Sequence, residues 1–104
     1  MLRGYYFIMD EDGKTPIPCN DLMDWAKWFG EQDRQIARTE VDDIVVSTVF
    51  LALNYAPFGK PELFETMIFG GPMDRECWRY SDYSEAVSGH WSIVEMIQKG
   101  EGVQ

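Results

Sequence analysis

Residues 44–54, IVVSTVFLALN, are the most β-rich stretch of the chain, and their flanks leave few ways to fold it. QIARTEV (35–41) comes just before and alternates well enough for a strand. Asp42-Asp43 separates the two as a two-residue turn. Residues 54–61 carry two prolines and a glycine and read as a loop. LFETMIF (63–69) is the next strand, stopped by Gly70-Gly71-Pro72, and CWRY (77–80) can pair as a last short one. Strands in succession on short connections pair with their sequence neighbours, which gives an antiparallel meander.

The rest of the chain supplies a hairpin and two helices. Residues 4–10, GYYFIMD, read as a strand, and Asp12-Gly13 suits a tight turn. The return strand, 14–18, holds Pro16 and Pro18, which donate no ladder hydrogen bond, so it is short or on an edge. Asn20 or Asp21 caps a first helix over 21–29, with room to fray on to Asp33, with Leu22, Trp25, Ala26 and Phe29 on one face and Gly30 placed to end it. Asp82, with Glu85 three residues on, forms a capping box for a second helix that runs to Lys99 and stops at Gly100. The last four residues are expected to be loose. The expectation is one α+β domain over 1–104: an antiparallel β-sheet, mostly a meander, with two helices packed on one face.

Charge removes several classes of function. Eighteen acids against nine bases give a net charge of -9, which is wrong for direct phosphate contact with nucleic acid and for a polybasic membrane binder. No apolar run reaches the roughly 18–20 residues that a spanning helix needs. No basic segment leads into an apolar one as in a secretory signal, so a reducing cytoplasm with free Cys19 and Cys77 is expected. Two cysteines and one histidine are too few for an ordinary zinc site, and no glycine-rich phosphate motif or GxSxG is present, so neither metal nor cofactor is expected. Fifteen aromatic residues are a heavy load for so small a domain and favour an aromatic interface.

Four places in the chain invite a functional reading. His90 lies near the middle of the apolar arc of the second helix, among Ala86, Val87, Trp91, Ile93, Val94 and Ile97. It is either a core histidine satisfied by neighbours or a pocket histidine that binds a ligand or moves a proton. Glu65 falls on a largely apolar strand face and needs a partner, for which Arg79, Arg38 and His90 are the candidates. Together Glu65, His90, Arg79, Tyr80 and Trp78 would line a ligand pocket. Gly89 interrupts the second helix at a cost of about 1 kcal/mol, which close approach of a second copy through Gly89, Ser92 and Met96 would explain. Trp28 stands off the first helix's stripe beside Asp21 and Asp24 and is either an exposed interaction patch or a ring folded under the neighbouring loop. From Asp10 to Asp43 there are ten acids and four bases, a solvated surface or a mimic of nucleic-acid charge.

STVFLALN, LFETMIFGG and RYSDYSEAVSGH resemble a family of small bacteriophage and prophage proteins with the pattern STVFLGLD, LFETMVFGG, RY, and an Ala and a Gly-His on a C-terminal helix. The matching residues are Ser47 to Leu53, Leu63 to Gly71, Arg79, Tyr80, Ala86, Gly89 and His90, so the resemblance spans about residues 44–95. The chain departs at Ala52, where Gly is common, and at Asn54, where Asp is common. The family brings no assigned activity, so no functional residue is carried over. The resemblance implies a phage origin and the cytoplasm of an infected bacterium.

These features converge on a phage-type accessory protein that acts by binding and counters a host defence system. It would work as a homodimeric sponge for a nucleotide signal, through the Glu65–His90 pocket. Otherwise it would be an acidic decoy for a host nuclease, through Asp10, Glu11, Asp12, Asp42 and Asp43. The alternatives are a small hydrolase with Glu65 and His90 as acid and base, and an interaction module without a pocket.

Overall fold

The computed structural model describes residues 5–56 and 58–100. Its elements run β1 (Phe7–Met9), β2 (Pro16–Pro18), α1 (Leu22–Glu31), β3 (Gln35–Val41), β4 (Ile44–Phe50), β5 (Phe64–Phe69), β6 (Cys77–Tyr80) and α2 (Tyr83–Gln98). The fold is α+β. Strands β3-β4-β5-β6 form an antiparallel meander, and β1-β2 form a separate hairpin. The expected Gly4 start of β1 and the residues after Gly100 lie outside the described residues. Among the described residues, no helix is long and apolar enough to cross a membrane.

Alternation along the strands assigns the two faces of the meander. Val46, Thr48 and Phe50 of β4 are fully or nearly fully buried, as are Phe64, Thr66 and Ile68 of β5. The register sets these opposite Thr39 and Ala37 of β3, and Trp78 and Tyr80 of β6. They make the inner face, which α2 covers with Ala86, His90, Ile93, Val94 and Ile97. Asp82 caps α2 by accepting from the Glu85 N–H at 2.8 Å, while Glu85 reaches back to the Ser81 N–H at 3.3 Å. Gly100 ends the helix with a φ of 76°. Trp91, expected in the apolar arc, is 53% exposed because it lies beyond the edge of the stripe that meets the sheet.

The first helix follows different rules. It has no fully buried residue, and Leu22, expected on its packed stripe, is exposed. Trp25 anchors it: the indole N–H is shared between the carbonyls of Phe7 and Ala52 at 3.0 and 3.1 Å. Trp28 meets Phe50 edge-on at 5.8 Å, which brings α1 to the inner-face end of the meander. Gly30 does not end the helix. The chain stays helical to Glu31 and breaks at Gln32, whose extended backbone leads through Asp33 and Arg34 into β3.

The expected strand 44–54 is shorter than its sequence. Ladder pairing of β4 stops at Phe50, and Ala52 takes a left-handed φ of 65°. That turn points the next residues at the N-terminal hairpin. Phe7 N–H donates to the Ala52 carbonyl, Asn54 N–H donates to the Tyr5 carbonyl, and Tyr6 bridges Leu53. The two sheets are thus joined through a kink in β4.

Candidate functional site

The five residues expected to line one pocket do not meet. Glu65 and Arg79 are direct cross-strand partners on the outer face of the meander, while Trp78, Tyr80 and His90 lie on the inner side with α2. The sheet itself stands between the two groups. The Arg79 Nε–H donates to the Glu65 carboxylate at 3.0 Å, and its guanidinium sits 5.0 Å from the centre of the Tyr55 ring. Glu65 is therefore half of an ion pair and not the partner of His90.

His90 is completely buried and satisfied at both ring nitrogens. Nε2 lies 2.9 Å from the Thr39 hydroxyl and Nδ1 lies 2.8 Å from the Thr48 hydroxyl. Thr48 and Thr66 then hydrogen-bond to each other at 2.5 Å. The result is a polar chain across three strands inside an otherwise apolar layer. Burial holds the imidazole below its ordinary pKa, so it is neutral at pH 7. A neutral ring donates from one nitrogen and accepts at the other, and threonine hydroxyls serve either need. With both nitrogens occupied and no solvent path, His90 is a core histidine and not an acid or base for a substrate.

Gly89 also has its reason inside the fold. A side chain there would overlap the phenol end of the Tyr80 ring, which packs close against the helix backbone at that point. Met96 is half-buried against the Val46–Ile68 cluster. Of the residues expected to form a helix–helix interface, Ser92 is exposed while Gly89 and Met96 are half-buried by contacts within the chain, so the glycine needs no second copy to explain it.

An open cleft does exist, at the other end of the molecule. It holds about 500 Å³ between the β1–β2 hairpin, the end of α1 and the start of β3. Trp28, Phe50, Ile8, Met9 and Ile36 supply apolar surface, and Asp10, Glu11 and Asp33 supply acidic groups. Arg34, the cation in the lining, is committed elsewhere. Its guanidinium donates to the Phe50 carbonyl at 3.0 Å and stacks 3.9 Å from the Phe29 ring. No protein-family model, curated protein or solved structure matches the chain. The cleft must therefore be read from its own chemistry.

That chemistry sorts the acids of the N-terminal half. The Asp12 carboxylate turns back on its own loop, where it accepts from the Thr15 hydroxyl at 2.6 Å and from the N–H groups of Lys14 and Thr15. The hydroxyl bond, foremost, holds its pKa below the ordinary value. Asp42 and Asp43 lie at the far end of β3, beyond Val41, and do not line the cleft. Asp10, Glu11 and Asp33 are left as the acids of the cleft. Trp28, expected as an exposed patch, is half-buried and lines the cleft with its neighbour Phe50. Among the described residues, no three His, Cys, Asp or Glu side chains gather as a metal-binding group, and Cys19 and Cys77 are free.

Sequence reasoning missed Thr39, Thr48, Thr66, Asp33 and Phe50. The threonines were findable, since a histidine on a buried arc needs partners and they are polar residues on the inner-facing positions. Asp33 and Phe50 carried no signal, because the cleft depends on how α1 and the hairpin sit at the sheet's end.

Proposed function

We propose that this is a phage-type accessory protein that acts by binding in the host bacterial cytoplasm. Its target is a host defence protein, whose basic, nucleic-acid-binding surface it occupies through the acidic cleft. One observation carries the reading: Asp10, Glu11 and Asp33 line an open cleft with Trp28 and Phe50, and its single cation is engaged. A Lys- or Arg-rich segment offers the complementary charge, and its aliphatic stems or guanidinium planes suit the indole. The nucleotide-sponge and hydrolase readings lose their support, because both needed Glu65 and His90 on one side of the sheet.

The test is titration with a Lys/Arg-rich peptide from a nucleic-acid-binding protein, followed by calorimetry at several salt concentrations. Binding should weaken as salt rises, and the triple variant Asp10→Lys, Glu11→Lys, Asp33→Lys should abolish it. In infected cells the same variant should lose protection against host defence, while Glu65→Gln keeps it. Salt-independent binding, or full activity of the triple variant, would overturn the proposal.

A further inference from the structure

The four edge strands of the two sheets are protected to different degrees, and β1 is already engaged by residues 52–54 through the Phe7 N–H bond to the Ala52 carbonyl. β2 is Pro-Ile-Pro and cannot template another strand, and β6 is only four residues long. β3 is seven residues long with no proline. A bulge between Gln35 and Ala37 ends its regular pairing, which leaves a clean run of five residues, 37–41, centred on Thr39. Among the described residues, Arg38 and Glu40 make no backbone hydrogen bond outside the β3–β4 ladder.

The register tells which groups that edge presents. Val41 and Ile44 flank the two-residue turn and form a hydrogen-bonded pair, so Thr39–Val46 is hydrogen-bonded too and Glu40–Val45 and Arg38–Ser47 are not. The backbone N–H and C=O groups of Arg38 and Glu40 therefore point away from the sheet. The side chains of the same two residues are opposite in charge, on the outer face, and 48% and 59% exposed.

We propose that β3 pairs antiparallel with β3 of a second copy of this chain, in the register that sets Thr39 opposite Thr39. The bulge-free run is symmetric about that point. Arg38 then exchanges both backbone hydrogen bonds with the partner's Glu40, and Glu40 does the same with the partner's Arg38. On the outer face each cross-strand pair joins opposite charges. On the inner face Ala37 meets Val41, and Thr39 meets its own copy, all side chains small enough for neighbouring strands. The two meanders merge into one sheet of eight strands.

A second observation comes from α2. Gly89 packs on Tyr80 of β6, so the flank of the helix that carries Gly89 faces the β6 edge. Trp91, two residues on, occupies the opposite flank, towards β3, with 53% of its surface exposed. In the paired sheet both copies of α2 lie on the same side, and the two indoles face one another across the symmetry axis.

Charge reversal tests the register directly, with oligomeric state read by analytical ultracentrifugation and native mass spectrometry. The wild type is expected to be a dimer. Arg38→Glu puts like charges in both cross-strand pairs, as does Glu40→Arg, so each variant alone should dimerise about tenfold more weakly or worse. Mixing the two variants restores both pairs and should return a heterodimer, which the Arg38–Glu40 contact within one chain cannot explain. Trp91→Ala should weaken the dimer while circular dichroism shows the fold intact. A wild type that stays monomeric at submillimolar concentration would overturn the proposal. So would a dimer indifferent to both reversals, or a mixture that gives no heterodimer.

Discussion

Under α2 the sheet is closed, while under α1 the molecule stays half open. Five side chains of α2 are buried, and the one polar group among them has a partner at each nitrogen. In α1 no side chain is fully buried, and contact relies on ring edges and one shared indole N–H. Both helices are amphipathic and both carry an Asp N-cap. What separates them is the surface each one meets. α2 lies across four paired strands, whereas α1 meets a three-residue strand and the rim of the meander. Stability is thus concentrated in the C-terminal two thirds, and the open cleft with its acidic rim lies against the N-terminal third. A binding cleft needs that second kind of construction, since a fully packed helix leaves nothing for a ligand to touch.

The largest effect that would sharpen this contrast is expected at His90. His90→Ala removes the ring that the Thr39 and Thr48 hydroxyls both bond, leaves Thr48 with Thr66 alone, and opens a cavity in the core. It should cost about 3–5 kcal/mol in urea denaturation. Leu22→Ala or Met23→Ala in α1 should stay within about 0.5 kcal/mol, as exposed positions do. Equal losses in the two helices would break the comparison.

Next comes the Tyr80–Gly89 contact. Gly89→Ala pushes a methyl group into the Tyr80 ring and should destabilise by about 1–3 kcal/mol, even though Ala is the better helix former. A double-mutant cycle with Tyr80→Ala should recover most of that loss. Recovery would show that the glycine serves packing within one chain.

The pH response follows from the same buried ring. An unfolded imidazole takes up a proton more readily than His90 does in the fold, so the unfolded state binds more protons as pH falls. The stability from keeping this ring neutral is fully present above about pH 6.5 and is lost as pH drops below it. Denaturation curves of the wild type and His90→Asn should differ in slope between neutral and mildly acid pH, with the flatter dependence in the variant. Parallel slopes would mean that the ring is not held neutral.

Much of this architecture was legible, and the reasons are local. The Asp42-Asp43 turn, the alternation in β3 and β5, and the Asp82–Glu85 box act within a few residues, and each element formed as read. Both caps needed no knowledge of distant parts. Failures came where a distant contact decided the outcome. Glu65 shares its strand face with Leu63, Met67 and Phe69, so it looked inward until the register gave it to Arg79 on the outer face. Gly89 looked like an interface residue because its partner, Tyr80, is nine positions back on another element. Gly30 looked like a stop signal, but the route into β3 set the end of α1.

Ala52 is where sequence and geometry meet most closely, and the smallest effect is expected there. It is fully buried, so burial alone predicts that Ala52→Gly costs the transfer energy of one methyl group, about 0.8 kcal/mol, plus the added freedom of the unfolded chain. Its φ of 65° belongs to the left-handed region, where a side chain costs about 1–2 kcal/mol and glycine costs nothing. The two contributions oppose each other and are nearly equal, so thermal unfolding of Ala52→Gly should fall within about 1 kcal/mol of the wild type. A loss of several kcal/mol would mean that the methyl group packs the hinge between the two regions, and that the open N-terminal third is held more tightly than its exposed helix implies.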